Sequence, residues 1–245
     1  MKISKGRLSF VLIAMMLVAF SFAACGTGLQ EPSDEERPNS TSEPAEPVAL
    51  KPQEIENSIS LEDAFRQRRS SRRFTNVPIE LEKIGKLMMA VQGEGSDVIS
   101  GATRPVASAG ATHPLQIYVV AGEVEDLTAG VYQYDLTTEV LIQVAEGDIR
   151  EKLAQASLGQ NVIADAPVTV VIAAAKQRTT QRYGERGIRY VYMESGGAAQ
   201  HIALQSTALG LGNVIIGAFE DEEVQNLMQI EESPLLLIPV GYLAE

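Results

Sequence analysis

The sequence has few of the residues that usually bind metals or form disulfides. It contains one cysteine and two histidines in 245 residues. One cysteine cannot form a disulfide within the chain. His113 and His201 are far apart, and neither an HxxxH nor a CxxC spacing occurs. Zinc sites are usually built from such spacings, so we expect no metal centre.

Positive charge is also scarce overall. The formal net charge is −12 at pH 7, with 20 Lys and Arg against 32 Asp and Glu. Because nucleic-acid phosphates attract basic proteins, this balance argues against a nucleic-acid-binding function. It leaves room for a single phosphate site in a local basic pocket.

Several familiar catalytic motifs are missing. There is no Walker A motif and no GxSxG motif. The glycines Gly210 and Gly212 follow a predicted helix, and the third glycine of a dinucleotide-binding fingerprint is lacking. Ser108 is the one serine in a setting that suggests a nucleophile, and its only nearby partner is His113.

The N-terminus resembles a bacterial lipoprotein signal. A basic stretch at 1–7 precedes an apolar run at 8–22, and small residues then lead to Cys25. We therefore predict a signal peptide at 1–24 and lipidation of Cys25. The chain would then be exported and anchored on the extracytoplasmic face of a membrane. A plain signal peptide or an N-terminal membrane helix with an incidental cysteine is the alternative.

The chain after Cys25 divides into two parts. Residues 25–58 are rich in Glu, Pro, Ser and Thr and poor in large apolar residues, which predicts a disordered linker. Residues 59–245 have the size and apolar content of one folded domain.

Apolar periodicity predicts an α+β domain with a central mixed or antiparallel sheet flanked by helices. The predicted helices are 61–67, 80–91, 148–156, one from Arg186 or Ile188 to Leu209, and 221–228. The predicted strands are 115–121, 130–135, 140–144, 167–175, 214–219 and 235–242. We expect Asp148 to cap the third helix, Leu227 to be buried, and the continuously apolar strand 167–175 to be central.

An arginine segment, residues 68–74 (RRSSRRF), follows the first predicted helix, for which Ser60 is the N-cap. It packs four arginines and two serines into seven residues. Two interpretations fit the segment alone. The arginines are a solvated helix end, where the helix dipole favours cations, or they face an anion.

The order of several motifs resembles the nitroreductase superfamily, and specifically its SagB-type dehydrogenase branch. The similarity extends over residues 61–241. The motifs are RRSSRRF at 68–74, RPVASAGATHPL at 104–115, RYGERGIRY at 182–190, GGAAQH at 196–201, GLG at 210–212 and IGAF at 216–219.

The resemblance implies a nitroreductase-like fold and an intertwined homodimer that holds FMN between its subunits. It assigns the FMN phosphate to Arg68, Ser70 and Arg72. Alternation along the segment then leaves Arg69 and Arg73 facing solvent or forming salt bridges. The flavin ring would contact backbone at Ala107, Ser108, Ala109 and Gly110, and at Ile216, Gly217 and Ala218. The implied activity is hydride transfer to or from flavin N5.

Some positions depart from the family pattern. Arg182 stands where azoline-oxidising relatives have the lysine of a Lys-Tyr pair that is thought to remove a proton. Arginine effectively cannot lose its proton, so Tyr183 would have to carry that role. The expected substrate is an azoline-like modified peptide or another small molecule, such as a quinone or a nitro compound. A flavin- or ligand-binding lipoprotein without turnover is the alternative from another class.

Overall fold

The computed structural model describes residues 45–50, 59–93 and 104–244. The predicted signal peptide, Cys25 and most of the predicted linker lie outside the described residues. In the part that is described, no helix is long and apolar enough to cross a membrane.

The described chain forms seven strands and seven helices. The strands are β1 (Val48–Ala49), β2 (Leu115–Ala121), β3 (Gly130–Asp135), β4 (Val140–Glu146), β5 (Val168–Ala174), β6 (Leu211–Asn213) and β7 (Ser233–Tyr242). The helices are α1 (Leu61–Gln67), α2 (Leu81–Gln92), α3 (Arg150–Ala156), α4 (Val162–Asp165), α5 (Gln177–Tyr183), α6 (Arg186–Ala208) and α7 (Asp221–Met228).

All seven strands belong to one sheet, in the order β1-β4-β3-β2-β5-β7-β6. Every neighbouring pair in it is antiparallel. The predicted α+β class is therefore confirmed, with the antiparallel form of the sheet.

The sheet is covered on both faces. All residues of β5 are buried, as its continuous apolar sequence predicted. Successive side chains of a strand point to opposite faces. Ile117 and Val119 of β2 accordingly join the core under α2 and α6, whereas Tyr118 and Val120 join the core under α3, α4 and α7.

The prediction that residues 25–58 form a disordered linker is wrong for residues 48–50. β1 pairs with β4, through Val48 opposite Leu141 and Ala49 opposite Val140. Leu50 is buried in the main core. The three consecutive apolar residues 48–50 are enough to pair with the edge strand β4. They are too few to show the alternation of apolar and polar residues by which a strand is recognised in a sequence.

The predicted strand at 214–219 is also wrong. The strand in this region is β6, which starts directly after Gly210 ends α6 with a left-handed φ of 74°. Beyond β6 only an isolated bridge forms, in which the backbone groups of Ile216 and Leu237 bond each other. Only a short stretch after α6 therefore pairs with the end of β7.

Three smaller differences concern helices. Leu227 is only half-buried, and Val224 and Met228 fill the core position of α7 instead. The cap position of α3 is Ile149, although the Asp148 carboxylate does accept from the Arg150 N–H. Helix α5 was not predicted, because its sequence QRTTQRY has no apolar stripe.

Candidate functional site

The arginine segment lies along the edge of the sheet. Helix α1 begins after Ser60, whose side chain accepts from the Asp63 N–H as predicted, and ends before Arg68. The Ser71 N–H then donates to the carbonyl of Asn213 at 2.8 Å, and Ser70 forms a parallel bridge with Asn213. The segment is thus held in extended form beside β6.

A cavity of about 410 Å³, here called the arginine cavity, opens beside this segment. It is lined by Arg66, Gln67, Arg68, Arg69, Ser71, Thr207, Gly210, Leu211, Gly212 and Leu243. Arg68 is half-buried there. Arg69 is exposed, in agreement with the expectation that it faces solvent, and it lines the cavity as well. Ser70 and Arg72 are exposed and are not among the lining residues.

The charges of the arginine segment are not neutralised by the described protein. Arg66, Lys83, Lys86 and Arg150 form ion pairs with described acids, but the four arginines at 68, 69, 72 and 73 form none with them. These four guanidinium groups, two of which line the arginine cavity, therefore remain available to an anion.

Ile216, Gly217 and Ala218 lie at the same edge of the sheet, directly after β6. Ile216 is buried, whereas Gly217 and Ala218 are exposed. The Ala218 carbonyl accepts a hydrogen bond from Gln160 Nε2 at 2.8 Å. The N–H groups of Gly217 and Ala218 donate to no described residue, so both are free to donate to a ligand.

A second region surrounds the Ser108 loop, which we define as residues 104–114. Gly110, Ala111 and His113 all have left-handed φ values, of 57°, 53° and 44°. Such conformations are costly for residues other than glycine. The Ser108 Oγ accepts from the His113 N–H at 2.9 Å. Ser108 and His113 are thus joined through the His113 backbone, which does not form a serine–imidazole dyad.

Helix α5 braces this loop. Arg182 Nη1 donates to the Gly110 carbonyl at 2.9 Å, and Arg178 Nη1 donates to the His113 carbonyl at 3.2 Å. The Oγ1 atoms of Thr112 and Thr179 are 2.8 Å apart and share a hydrogen bond. The structure therefore brings Arg182 to the Ser108 loop and gives its guanidinium a structural partner there.

Tyr183 lies against the same loop. A Cβ atom added to Gly110 would collide with the Tyr183 hydroxyl. The Tyr183 ring also packs edge-on against Tyr190, with 5.1 Å between ring centroids. The structure thus brings together two sets of predicted site residues. One is the loop stretch from Ala107 to Gly110, and the other is Arg182 with Tyr183.

A cavity of about 540 Å³, the loop cavity, lies between the Ser108 loop and α6. It is lined by Pro105, Val106, Ala107, Ser108, Ala109, Tyr190, Met193, Glu194, Gly197 and His201. Small side chains in the loop leave its backbone accessible from the cavity.

Sequence reasoning missed Glu194, which lines the loop cavity with only 8% of its surface exposed. Burial raises the pKa of its carboxyl, while a hydrogen bond from Ser108 and the charge of Arg104 oppose that increase. Burial and the charge of Arg104 together lower the pKa of His113. A signal for Glu194 was present in the sequence, because it is the single acid in the 23 residues of α6.

The two regions lie at different places along α6. The arginine cavity reaches α6 at Thr207, whereas the loop cavity reaches it between Tyr190 and His201. Gly197 and Thr207 are about 15 Å apart along the helix axis at 1.5 Å per residue. The two cavities share no lining residue. The chain therefore carries two half-sites: an arginine half-site with 216–218, and a loop half-site with Arg182 and Tyr183.

Comparison with known proteins agrees with this fold. Residues 65–242 match the profile described as the nitroreductase family. A Methanocaldococcus jannaschii protein, MJ1384, whose name gives nitroreductase as a provisional assignment, is 42% identical over 183 residues. The match covers 75% of this chain and 91% of that relative.

Solved structures share the architecture. A protein from Ralstonia eutropha JMP134, provisionally named a nitroreductase, superimposes with a TM-score of 0.70 at 22% identity, covering 81% of this chain and 90% of that one. A chain of the Escherichia coli microcin synthetase McbBCD complex, with truncated pro-MccB17 bound, gives 0.63 at 24% identity, covering 81% and 78%. At these identities the similarity shows the fold, which is nitroreductase-like.

We predict that Gly110→Ala destabilises the protein more than Gly147→Ala does. Both glycines have positive φ, but only at Gly110 would the new Cβ displace the Arg182 and Tyr183 side chains. The additional loss should be roughly 1 kcal/mol, the order of one hydrogen bond. Urea denaturation of both variants measures the difference. Equal losses would show that Arg182 and Tyr183 do not brace the loop.

Proposed function

The chain belongs to the nitroreductase family, whose members are generally flavin-dependent oxidoreductases, and on that premise we propose that it is an FMN-dependent oxidoreductase. Bound FMN would supply the chemistry, which is hydride transfer to or from its N5 atom. One observation carries the proposal: a group of arginines without a described acidic partner lies beside a cavity at the sheet edge.

The arginine half-site suits a phosphate. Arg68 reaches the cavity, Ser70 and Arg72 are exposed beside it, and Arg69 is a further donor. Guanidinium groups bind phosphate oxygens through paired, charge-assisted hydrogen bonds. At the same edge, the N–H groups of Gly217 and Ala218 are available to the polar atoms of a flavin ring, and buried Ile216 fixes their position.

We further propose that FMN lies between two subunits of a homodimer. One protomer would supply the arginine half-site and its partner the loop half-site, including Ala107, Ser108, Ala109 and Gly110. Exposed apolar side chains on α1 and α6 support this arrangement, notably Phe65 at 58% and Met193 at 67% exposure. Met193 also lines the loop cavity. Exposed apolar surface that flanks both half-sites is typical of an interface.

The finer substrate proposal is dehydrogenation of an azoline-like ring in a modified peptide, as in SagB-type relatives. The motif order supports it, and one structural neighbour is a synthetase complex with a bound peptide precursor. Arg182 argues for a changed proton path, because it keeps its proton and donates to Gly110. Tyr183 would then take the proton, or the substrate is another small acceptor such as a quinone or nitro compound.

The hydrogen bond from Arg182 to the Gly110 carbonyl favours a second candidate function. If no group at the loop half-site replaces the missing lysine, the protein binds flavin without turnover, as a carrier. Such a protein would hold FMN that neither a nicotinamide cofactor nor a quinone reduces or reoxidises.

We also propose that the protein is exported and held at a membrane by lipid on Cys25. The basic, apolar and small-residue order at 1–24 supports this proposal. Several acyl chains would be needed for stable anchoring, because one binds only marginally.

The double variant Arg68→Ala with Arg72→Ala is expected to lose FMN. Each charge-assisted hydrogen bond contributes roughly 1.5–3 kcal/mol, so affinity should fall by roughly 100-fold or more. Quenching of FMN fluorescence on binding gives the Kd. Arg73→Ala is the matched control, because Arg73 is exposed, does not line the arginine cavity and is not among the residues that the resemblance assigns to the phosphate. Unchanged affinity in the double variant would show that the phosphate lies elsewhere.

The double variant Phe65→Glu with Met193→Glu should be monomeric by light scattering and should lose FMN together with the dimer. A charge on an apolar interface leaves an unpaired group buried on association. Leu158→Glu is the control, because Leu158 is 63% exposed between α3 and α4. FMN bound to a wild-type monomer would contradict the shared site.

Cys25→Ser should abolish incorporation of a labelled fatty acid and should move the protein from the membrane to the soluble fraction. The physical reason is that the only thiol available for acylation is removed. Mass spectrometry of the wild-type N-terminus provides the independent check. Persistent labelling of the serine variant would exclude a lipoprotein anchor at this position.

A further inference from the structure

Glu194 is a carboxyl that the proposed cofactor contacts do not use. It lies on α6 in the wall of the loop cavity and is almost completely buried. It forms no ion pair with a described cation. A buried acid without a close counter-ion is costly unless it holds its proton or performs a function.

The surroundings of Glu194 set its charge. On the Ser108 loop, the Ser108 hydroxyl and the charge of Arg104 both favour the ionised form of the carboxyl and so lower its pKa. Arg178 on α5 repels the charge of Arg104, and Arg104 in turn disfavours a charged His113. On α6 itself, Tyr190 and His201 line the same cavity. Burial outweighs these partners and raises the pKa of Glu194.

Three other polar groups of this region already have a hydrogen-bond partner. Arg182 keeps its proton and donates to Gly110. The Nδ1 atom of His201 is 2.8 Å from the Ala90 carbonyl, and the Ser108 Oγ is engaged with the His113 N–H. Among the described residues, Glu194 is the one carboxyl that lines the loop cavity, and Ser108 lines the same cavity.

We infer that Glu194 is the proton donor of the loop cavity for substrates that accept hydride there. For a quinone, bound FMN would supply the hydride and the neutral Glu194 carboxyl would supply the proton, which together give the hydroquinone. Glu194 would be left as a carboxylate under the influence of the Arg104 charge and would regain its proton from solvent. An external hydride donor, NADH in the test below, would supply the next hydride. The inference rests on the proposed function.

This role gives the acid a defined pH dependence. The neutral carboxyl is the active form, so the rate of quinone reduction should fall as pH rises through the Glu194 pKa. The charge of Arg104 lowers that pKa, so Arg104→Gln should move the falling limb to higher pH. A purely structural Glu194 would produce neither effect.

The test uses the purified full-length protein loaded with FMN, with NADH and 1,4-benzoquinone as probes. Glu194→Gln should lower kcat by roughly 100-fold, within the range of general acid catalysis, and should remove the falling limb. Glu194→Asp should restore part of kcat, and its rate should again fall as pH rises. Glu185→Gln is the matched control, because Glu185 is exposed at the junction of α5 and α6. It should leave both quantities unchanged.

A second measurement does not depend on turnover. In protein labelled with ¹³C-glutamate, the carboxyl signal that disappears in Glu194→Gln should titrate above the ordinary range of glutamate, and higher still in Arg104→Gln. The inference would be overturned if the Glu194 carboxyl titrated in the ordinary range of glutamate. It would also be overturned if kcat of FMN-loaded Glu194→Gln still fell with rising pH. Either result would leave the proposed function standing. Protein that cannot be loaded with FMN would overturn both.

Discussion

The antiparallel pairing of β5 with β2 and β7 is the constraint on which both half-sites depend. Every residue of β5 is buried, and β2 follows it in register from Leu115 to Ala121. The Ser108 loop enters the sheet at Leu115. On the other side, β7 carries β6, and β6 holds the arginine segment. A slip of one residue would move every side chain of a strand to the opposite face of the sheet and into the wrong core, so the register also fixes the distance between the half-sites.

The Ser108 loop shows how strain and bracing are combined. Two residues other than glycine, Ala111 and His113, hold left-handed conformations that cost on the order of 1–3 kcal/mol each. Helix α5 offsets that cost through Arg178, Thr179 and Arg182. The result is a backbone of small residues held rigidly at the mouth of a cavity. Rigid presentation of backbone donors suits a flat cofactor, whose binding then requires little ordering of the loop.

Periodicity was a reliable guide where an element buries one face. Helices α1 and α7 and strands β2 and β3 have the predicted bounds. The failures share a cause, because each depends on a contact that is distant in sequence. Helix α5 is polar throughout and is stabilised by packing on α6 and the loop. The apolar residues 214–216 indicate a strand, yet only Ile216 meets β7, as an isolated bridge.

The prediction of the candidate site was similarly uneven. Motif order identified the arginine segment, the Ser108 loop and the Tyr183 segment as functional. Alternation along an extended chain gave no sign that Arg69, although exposed, lines a cavity, because that cavity lies where α6, β6 and Leu243 meet. Glu194 was missed because its burial depends on the loop that covers it, and a lone acid in a helix usually faces water.

By itself the sequence determined the chemical groups that are available: four clustered arginines, one cysteine, small residues around Ser108, and arginine instead of lysine at 182. It also determined the α+β class, because apolar periodicity is local. Only the tertiary structure decided what these groups contact. It separated the two half-sites along α6, bound Arg182 to Gly110 across 72 residues of chain, and buried Glu194. Such contacts depend on packing between distant elements, which local patterns do not encode.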